Sequence, residues 1–428
     1  MEYSNEAISG LPMSKKLQSM VYVTFLLIGV GLLWPWNNIL SATLFFQNNI
    51  FKETTIYAKV FTSSMMTVST LSSLLFNIYL ERRQHSYTTR VVRGLVWQAA
   101  AFILLTFVSS ISSKLWLGLE FLLIMALISV SSIATAWTQN GIMAIANVFG
   151  PEYSQSVMMG QAVAGVLPSV VLFLVSIGKS DDPDTVQHNT GIYFYFLTTS
   201  LVSVACIWLF FRTQIGDKLR EMTGGSSGTP GLEQDDQNTA TDRIPFTALF
   251  AKLKFLALSI ITTFIVTLIF PVFAATTFVS KLPLSNSEYI PLIFTVWNIG
   301  DLYGRFIANW SMFRSPDFTP YKTFLYAASR VLFIPFFFYY IVKTRGSNAA
   351  VNQSILTDLG YILLQFLFGL TNGHIISMSF MKVPESLATD QEKEAAGGFT
   401  SIFVSTGLAI GSVISYLFAF MISGITSR

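Results

Sequence analysis

An acid and a base stand four residues apart inside an apolar stretch. In TVWNIGDLYGRFIANW, residues 295–310, these are Asp301 and Arg305, with Asn298 three positions before the acid. An ionised group at bilayer depth is costly unless it is paired or faces a wet cavity. The couple therefore reads either as a self-neutralising structural pair or as a site for a polar ligand. On a helix, Phe294, Asn298, Asp301, Arg305 and Asn309 fall on one narrow face, and the i, i+4 spacing lets the two charges touch. Similar faces occur elsewhere. Leu33, Trp36, Asn37 and Leu40 follow i, i+3, i+4, i+7 around Pro35, and an indole beside an amide suits a planar ring that also hydrogen-bonds. Gln139 is an uncharged two-way hydrogen-bonder in TAWTQNGIMAIAN, and Gln365, Asn372 and Ser379 recur every seven residues. His374, rotated away from Asn372, reads as a packing group. Ser63, Met66, Thr70, Ser73 and Asn77 form a stripe that reads as glue between helices.

The elements that must hold these residues are membrane helices. The chain has 428 residues, 52% hydrophobic and 11% charged, whereas a soluble domain carries about 25% charge. Its apolar residues come in blocks of about twenty, enough for a helix to cross the hydrocarbon layer. Eleven spans are predicted, approximately 22–46, 57–80, 91–108, 115–149, 153–177, 192–211, 249–278, 290–310, 323–342, 355–381 and 399–422. The first lacks a cleavage site and reads as a span, not a leader. With the N-terminus in the cytoplasm, 17 of the 26 Lys and Arg residues fall on the inside, Arg330 counted among them, about 8 fall outside, and Arg305 remains in the membrane. The sequon Asn352-Gln-Ser354 then lies in an outer loop.

Residues 213–245, rich in Gly, Ser, Asp and Gln, are expected to be a disordered cytoplasmic tether between residues 1–212, a six-helix bundle, and 246–428, a five-helix bundle. Gly160-xxx-Ala164 and Gly407-xxx-Gly411 mark close helix crossings. Three histidines and one cysteine, Cys206, offer no metal cluster, and no phosphate-binding loop, nucleophile elbow or zinc motif is present. An enzyme is not expected, nor is a cofactor or a nucleic-acid partner. One Asp–Arg couple does not make the charge ring of a channel.

GLLWPWNNIL, TQNGIMAIANVFG followed by MMGQAVAGVLPS, WNIGDLYGR, and FGLTNGHIISMSFMKVPE ahead of EKEAAGGFTSIFVSTGLAIGS occur in this order. Over essentially the whole chain the sequence resembles the equilibrative nucleoside transporter family, whose first helix carries P-W-N, eighth N-x-x-D-x-x-G-R and tenth N-G. The resemblance implies an all-α membrane protein with eleven transmembrane helices in a major-facilitator-like 6+5 bundle around a central cavity. It implies facilitative, alternating-access transport of nucleosides, with nucleobases and nicotinamide riboside as further candidate solutes. Its partners would be nucleosides and the lipid bilayer, and a monomer is expected. The wording is most similar to the yeast vacuolar branch, which implies a vacuolar or other endomembrane, with the plasma membrane as alternative.

Carried over by motif, Trp36 would contact the base beside Leu33 and Leu40, Gln139 would bond its edge, and Asp301 and Arg305 would hold the ribose hydroxyls. Met65 lines up with a cavity methionine of the family, although the stripe itself contains Met66. Asn37, Phe294, Asn298 and Asn372 complete the expected lining, and His374 replaces an aromatic common in the family. Three other readings remain. A major-facilitator carrier of another small polar solute predicts twelve spans and a loop signature that ERRQHSYTTRVVRG lacks. A proton-coupled nucleoside symporter and a receptor-like protein that binds without moving its ligand are the others.

Overall fold

Long apolar runs give this chain helices and, among the described residues, nothing else regular. A computed structural model describes residues 14–52, 54–111, 116–178, 189–223, 243–310, 312–313, 317–345 and 354–426. Its helices are α1 (Lys15–Ser41), α2 (Thr43–Phe45), α3 (Ile56–Glu81), α4 (Tyr87–Ser110), α5 (Leu117–Phe149), α6 (Pro151–Gly178), α7 (Asn189–Arg212) and α8 (Ile215–Met222). They continue with α9 (Phe246–Thr267), α10 (Phe270–Thr276), α11 (Asn286–Ile307), α12 (Pro320–Ser329), α13 (Phe333–Arg345), α14 (Ile355–Glu385) and α15 (Asp390–Thr426). Nine spans among the described residues are long and apolar enough to cross a membrane, two of them the joined pairs α9–α10 and α12–α13. Helices α3 and α11, of 26 and 22 residues, have the length but carry the polar stripes. The long fourth block is a single 33-residue helix, α5.

Prolines and caps explain the departures from the predicted bounds. Helix α1 begins earlier than expected because the Ser14 hydroxyl accepts the Leu17 N–H. The seventh span divides at Leu268–Ile269, just before Pro271. The ninth tightens into a 3₁₀ turn at Arg330–Leu332, because Pro335 has no N–H to give to the carbonyl four residues back. Within the segment 213–245, expected to be a disordered tether, residues 215–222 form a helix. In α8 the i, i+4 pair Ile215 and Leu219 is buried in the core, and at the other end Ile244 exchanges two backbone hydrogen bonds with the Gln84 amide. Residues 224–242 and the Asn352–Gln353 part of the sequon lie outside the described residues.

The end at which α1 starts is the proximal end, the opposite one distal. Distally there are two separate apolar cores. One, around Phe46, Phe61 and Phe196, draws only on residues before 200, and the other, around Phe273, Phe337 and Phe368, only on residues after 260. Proximally a shared core joins Phe25, Ile145 and Phe149 to Ile376, Phe380 and Val404. Helices α6 and α11 run antiparallel across the middle, tied by Gln155 Nε2 donating to the Arg305 carbonyl (3.0 Å) and Thr295 Oγ1 donating to the Ser169 carbonyl (2.8 Å).

Candidate functional site

Four glycines let α11 and α14 approach until backbones touch. A methyl group added at Gly304 would lie 2.0 Å from the Leu370 carbonyl oxygen, and one at Gly373 would lie 1.9 Å from that of Asp301. Gly300 and Gly369 are similarly tight, so each helix carries a G-xxx-G pattern, the sequence signature of such a crossing. This crossing sets Asn372 of α14 against Asp301 of α11. Asp301 Oδ2 accepts from Arg305 Nε at 2.9 Å, and its Oδ1 accepts from Asn372 Nδ2 at 2.6 Å. Arg305 Nη1 donates to the Met158 carbonyl of α6 at 2.7 Å.

The couple thus exists as the spacing predicts, but in this conformation it is enclosed. Asp301 is 4% and Arg305 7% exposed, and both carboxylate oxygens have protein partners. α6 and α14 supply polar atoms that substitute for water around it.

The other expected residues cluster around this junction only in part. Asn298 and Phe294 continue the α11 stripe, half-buried. Asn298 Nδ2 bonds back to the Phe294 carbonyl (2.8 Å), its Oδ1 lies over Gly165 of α6, and Phe294 packs on Phe270. One residue away on α6, the Ala164 carbonyl accepts from Asn37 Nδ2 at 2.7 Å, so α6 links the stripe of α1 to that of α11. Leu33 and Trp36 are half-buried and Leu40 is exposed. Trp36 packs on the distal core that contains Met65, itself fully buried, with half-buried Met66 beside it. Gln139 is half-buried on α5 and, among the described residues, makes no hydrogen bond.

Of the stripe on α3, Ser73 and Asn77 reach Ser405 of α15, the amide donating at 2.8 Å, whereas Thr70 bonds back to the Met66 carbonyl of its own helix. Also on α3, Ser69 and Ser72 pair with Ser132 and Ser129 of α5. Gln365 donates to the Tyr361 hydroxyl, and Ser379 pairs with Ser259. His374 is buried edge-on to Phe313, its Nδ1 3.4 Å from the Tyr326 hydroxyl. At the proximal end a cavity of about 760 Å³ is lined by Arg82, Arg83, His85, Arg243, Asp390 and Glu394 among others, and by none of the expected site residues. Burial, and then the neighbouring Arg90 and Arg83, hold the His85 imidazole below its ordinary value.

One charge was misassigned from sequence. Arg330, counted among the inside loops, has no exposed surface at all and lies between α9 and α14. Its position within the predicted ninth span was the available signal.

A model of the family described as "Nucleoside transporter" matches residues 124–420. The chain belongs to the nucleoside transporter family. It is 52% identical to the nucleoside transporter FUN26 of Saccharomyces cerevisiae, over 98% of this chain and 88% of that protein. It is 23% identical to the human equilibrative nucleoside transporter 1, over 93% and 96% of the respective chains. Among solved structures, its fold is similar to a bacterial homologue of the iron transporter ferroportin in an outward-facing state (TM-score 0.61, 13% identity, 96% of each chain). It is also similar to the proton:xylose symporter XylE of the major facilitator superfamily (TM-score 0.56, 12% identity, 95% of this chain and 88% of that one). At these identities the two structures speak for the fold, a major-facilitator-like helical bundle. Membership of this family makes the chain a carrier, not an enzyme.

Proposed function

We propose that this chain carries nucleosides by facilitated diffusion through alternating access. It would have eleven spans: the nine apolar ones together with α3 and α11. The domains would be a six-span bundle (1–212), a cytoplasmic connection (213–245) and a five-span bundle (246–428), with the N-terminus in the cytoplasm. A vacuolar or other endomembrane setting belongs to the same proposal, with the plasma membrane as the alternative. The observation that carries the reading is the Asp301–Arg305 couple of α11, held between α6 on one side and α14 on the other in a member of this family. A vicinal diol both donates and accepts, and a carboxylate with a guanidinium offers the complementary pair. Because the couple is already neutral, an uncharged nucleoside can engage it without leaving a bare charge.

In the enclosed state the Met158 carbonyl holds the position on Arg305 that a ribose hydroxyl would take, while Asn372 orients Asp301. Parting of α6 from α11 frees Arg305, and the diol then replaces this carbonyl and donates to a remaining lone pair of Asp301. Trp36, with Leu33 and Leu40, offers a flat wall for the base, backed by the core that contains Met65. Gln139 is free to bond the base edge, and Asn37, Phe294 and Asn298 line the path between. The distal separation of the cores and the shared proximal core support a state open on the non-cytoplasmic side.

Purified protein in liposomes is expected to take up labelled uridine or adenosine down a gradient, saturably. Absence of saturable uptake of any nucleoside or nucleobase would defeat the proposal. Uptake should be indifferent to an imposed pH gradient, since both Asp301 oxygens already accept from donors that suit the ionised acid; acceleration by an inward proton gradient would favour a symporter.

A further inference from the structure

A guanidinium with no exposed surface normally needs a carboxylate beside it, because desolvation of a lone ion costs several kcal/mol. Among the described residues Arg330 forms no ion pair. Its two terminal nitrogens are bonded instead to acceptors of neighbouring helices, and its Nε has no partner among these residues. Nη1 donates to the Thr263 carbonyl and to Thr267 Oγ1, each at 3.1 Å, Nη2 donates to the Phe368 carbonyl at 3.3 Å, and the Phe368 ring lies 4.4 Å from the guanidinium carbon. The chain of bonds does not end there. Thr267 Oγ1 lies 2.5 Å from Asn372 Oδ1, and Asn372 Nδ2 donates to Asp301 at 2.6 Å. We propose that Arg330 is a positioning residue, which acts through Thr267 and Asn372 to fix the hydrogen bonding of Asp301.

The direction of each bond gives the mechanism. The Thr267 hydroxyl has one proton and two acceptors in reach, the Thr263 carbonyl at 2.6 Å and Asn372 Oδ1 at 2.5 Å. Arg330 Nη1, with two N–H groups, satisfies the Thr263 carbonyl with one and the Thr267 oxygen with the other. The hydroxyl proton is thereby turned toward Asn372. With its carbonyl oxygen so engaged, the amide can only present its NH2 to Asp301. Rotated by 180°, it would set an oxygen against a carboxylate oxygen at the same short distance. Arg330 thus selects one of two amide orientations two residues away, and Arg305 with Asn372 fills the acid from both sides. The 3₁₀ turn that begins at Arg330 places the residue where it reaches α9 and α14 at once.

The role rests on the proposal that Asp301 grips substrate, and the test separates the two. Thr267→Val keeps the shape but removes the hydroxyl. In liposomes it is expected to raise the KM for uridine by about tenfold with little change in maximal rate, the factor expected for one lost hydrogen bond to a charged chain. Thr267→Ser should restore the wild-type KM. A merely structural residue would lower the melting temperature or the yield without this KM shift and rescue. Unchanged KM in Thr267→Val, or an equal rise in Thr267→Ser, overturns the relay. Should Thr267→Val fail to fold, Thr267→Ala is measured instead, by the uridine-induced thermal shift of the detergent-solubilised protein; an undiminished shift overturns the relay equally. Asp301→Asn is the control for the underlying reading: normal uptake by that variant removes Asp301 from substrate binding, whereas lost uptake with a silent Thr267→Val disproves the relay alone.

Discussion

At the scale of single residues, the Asp301–Arg305 couple has two tasks that mutation should expose together. In Arg305→Ala the carboxylate keeps Asn372 but loses its counter-ion in a buried place, a loss of roughly 3–5 kcal/mol. Both the melting temperature in detergent and the uptake of uridine should fall; normal uptake would make the pair dispensable. Asp301→Asn in turn leaves Arg305 its Met158 carbonyl but no counter-ion, so the melting temperature should fall by a similar amount and uptake should be lost. Distally, Asp358 accepts the backbone N–H groups of Ser280 and Lys281 at 2.7 Å and of Leu282 at 2.9 Å, which shapes the α10–α11 connection. Asp358→Ala strands these donors at about 1–3 kcal/mol for each that water cannot reach. A lowered melting temperature with KM unchanged is expected, and no change in melting would refute the assignment.

At the scale of elements, the α11–α14 crossing decides whether the site exists. Its four glycines bring Asn372 within reach of Asp301, and no larger residue fits without parting the helices. Gly304→Ala is expected to cost about 1–3 kcal/mol through overpacking and to weaken uridine binding by lengthening the Asn372–Asp301 bond. Wild-type melting and KM together would show that the crossing yields freely. The crossing of α1 on α6 is built alike, with the space for a Gly160 side chain taken by the Leu26 carbonyl. Close crossings of this kind permit one helix to slide on another, as a rocking carrier requires.

At the scale of the whole molecule, the proximal closure is a set of small ties. Arg243 Nη2 meets Glu81 at 2.8 Å, Gln84 pairs with Ile244, Asn77 with Ser405, and Asn147 Nδ2 donates to the Lys393 carbonyl at 3.1 Å. Arg243 is half-exposed, so its pair contributes at most about 1 kcal/mol to stability. The same amount can still shift an equilibrium between two states several-fold. In a Cys206→Ser background, the buried position Ser401→Cys on α15 reports opening. Arg243→Ala should speed its modification by a small thiol reagent a few-fold while the melting temperature stays nearly constant. An unchanged rate would show that the other ties suffice.

The sequence by itself determined the membrane class, the family, the polar stripe of α11 and the touching of Asp301 and Arg305, because hydropathy blocks and helical spacing are local properties of the chain. The tertiary structure alone decided which neighbours complete those charges: Met158 and Asn372 are 147 and 71 residues away from their partners, and no periodicity links them. It alone withdrew Arg330 from the loops, because burial depends on the helices packed around a residue, and it alone ordered α8 and Ile244 out of a polar tether. The local pattern specifies what each helix can offer; the glycine crossings specify what it meets.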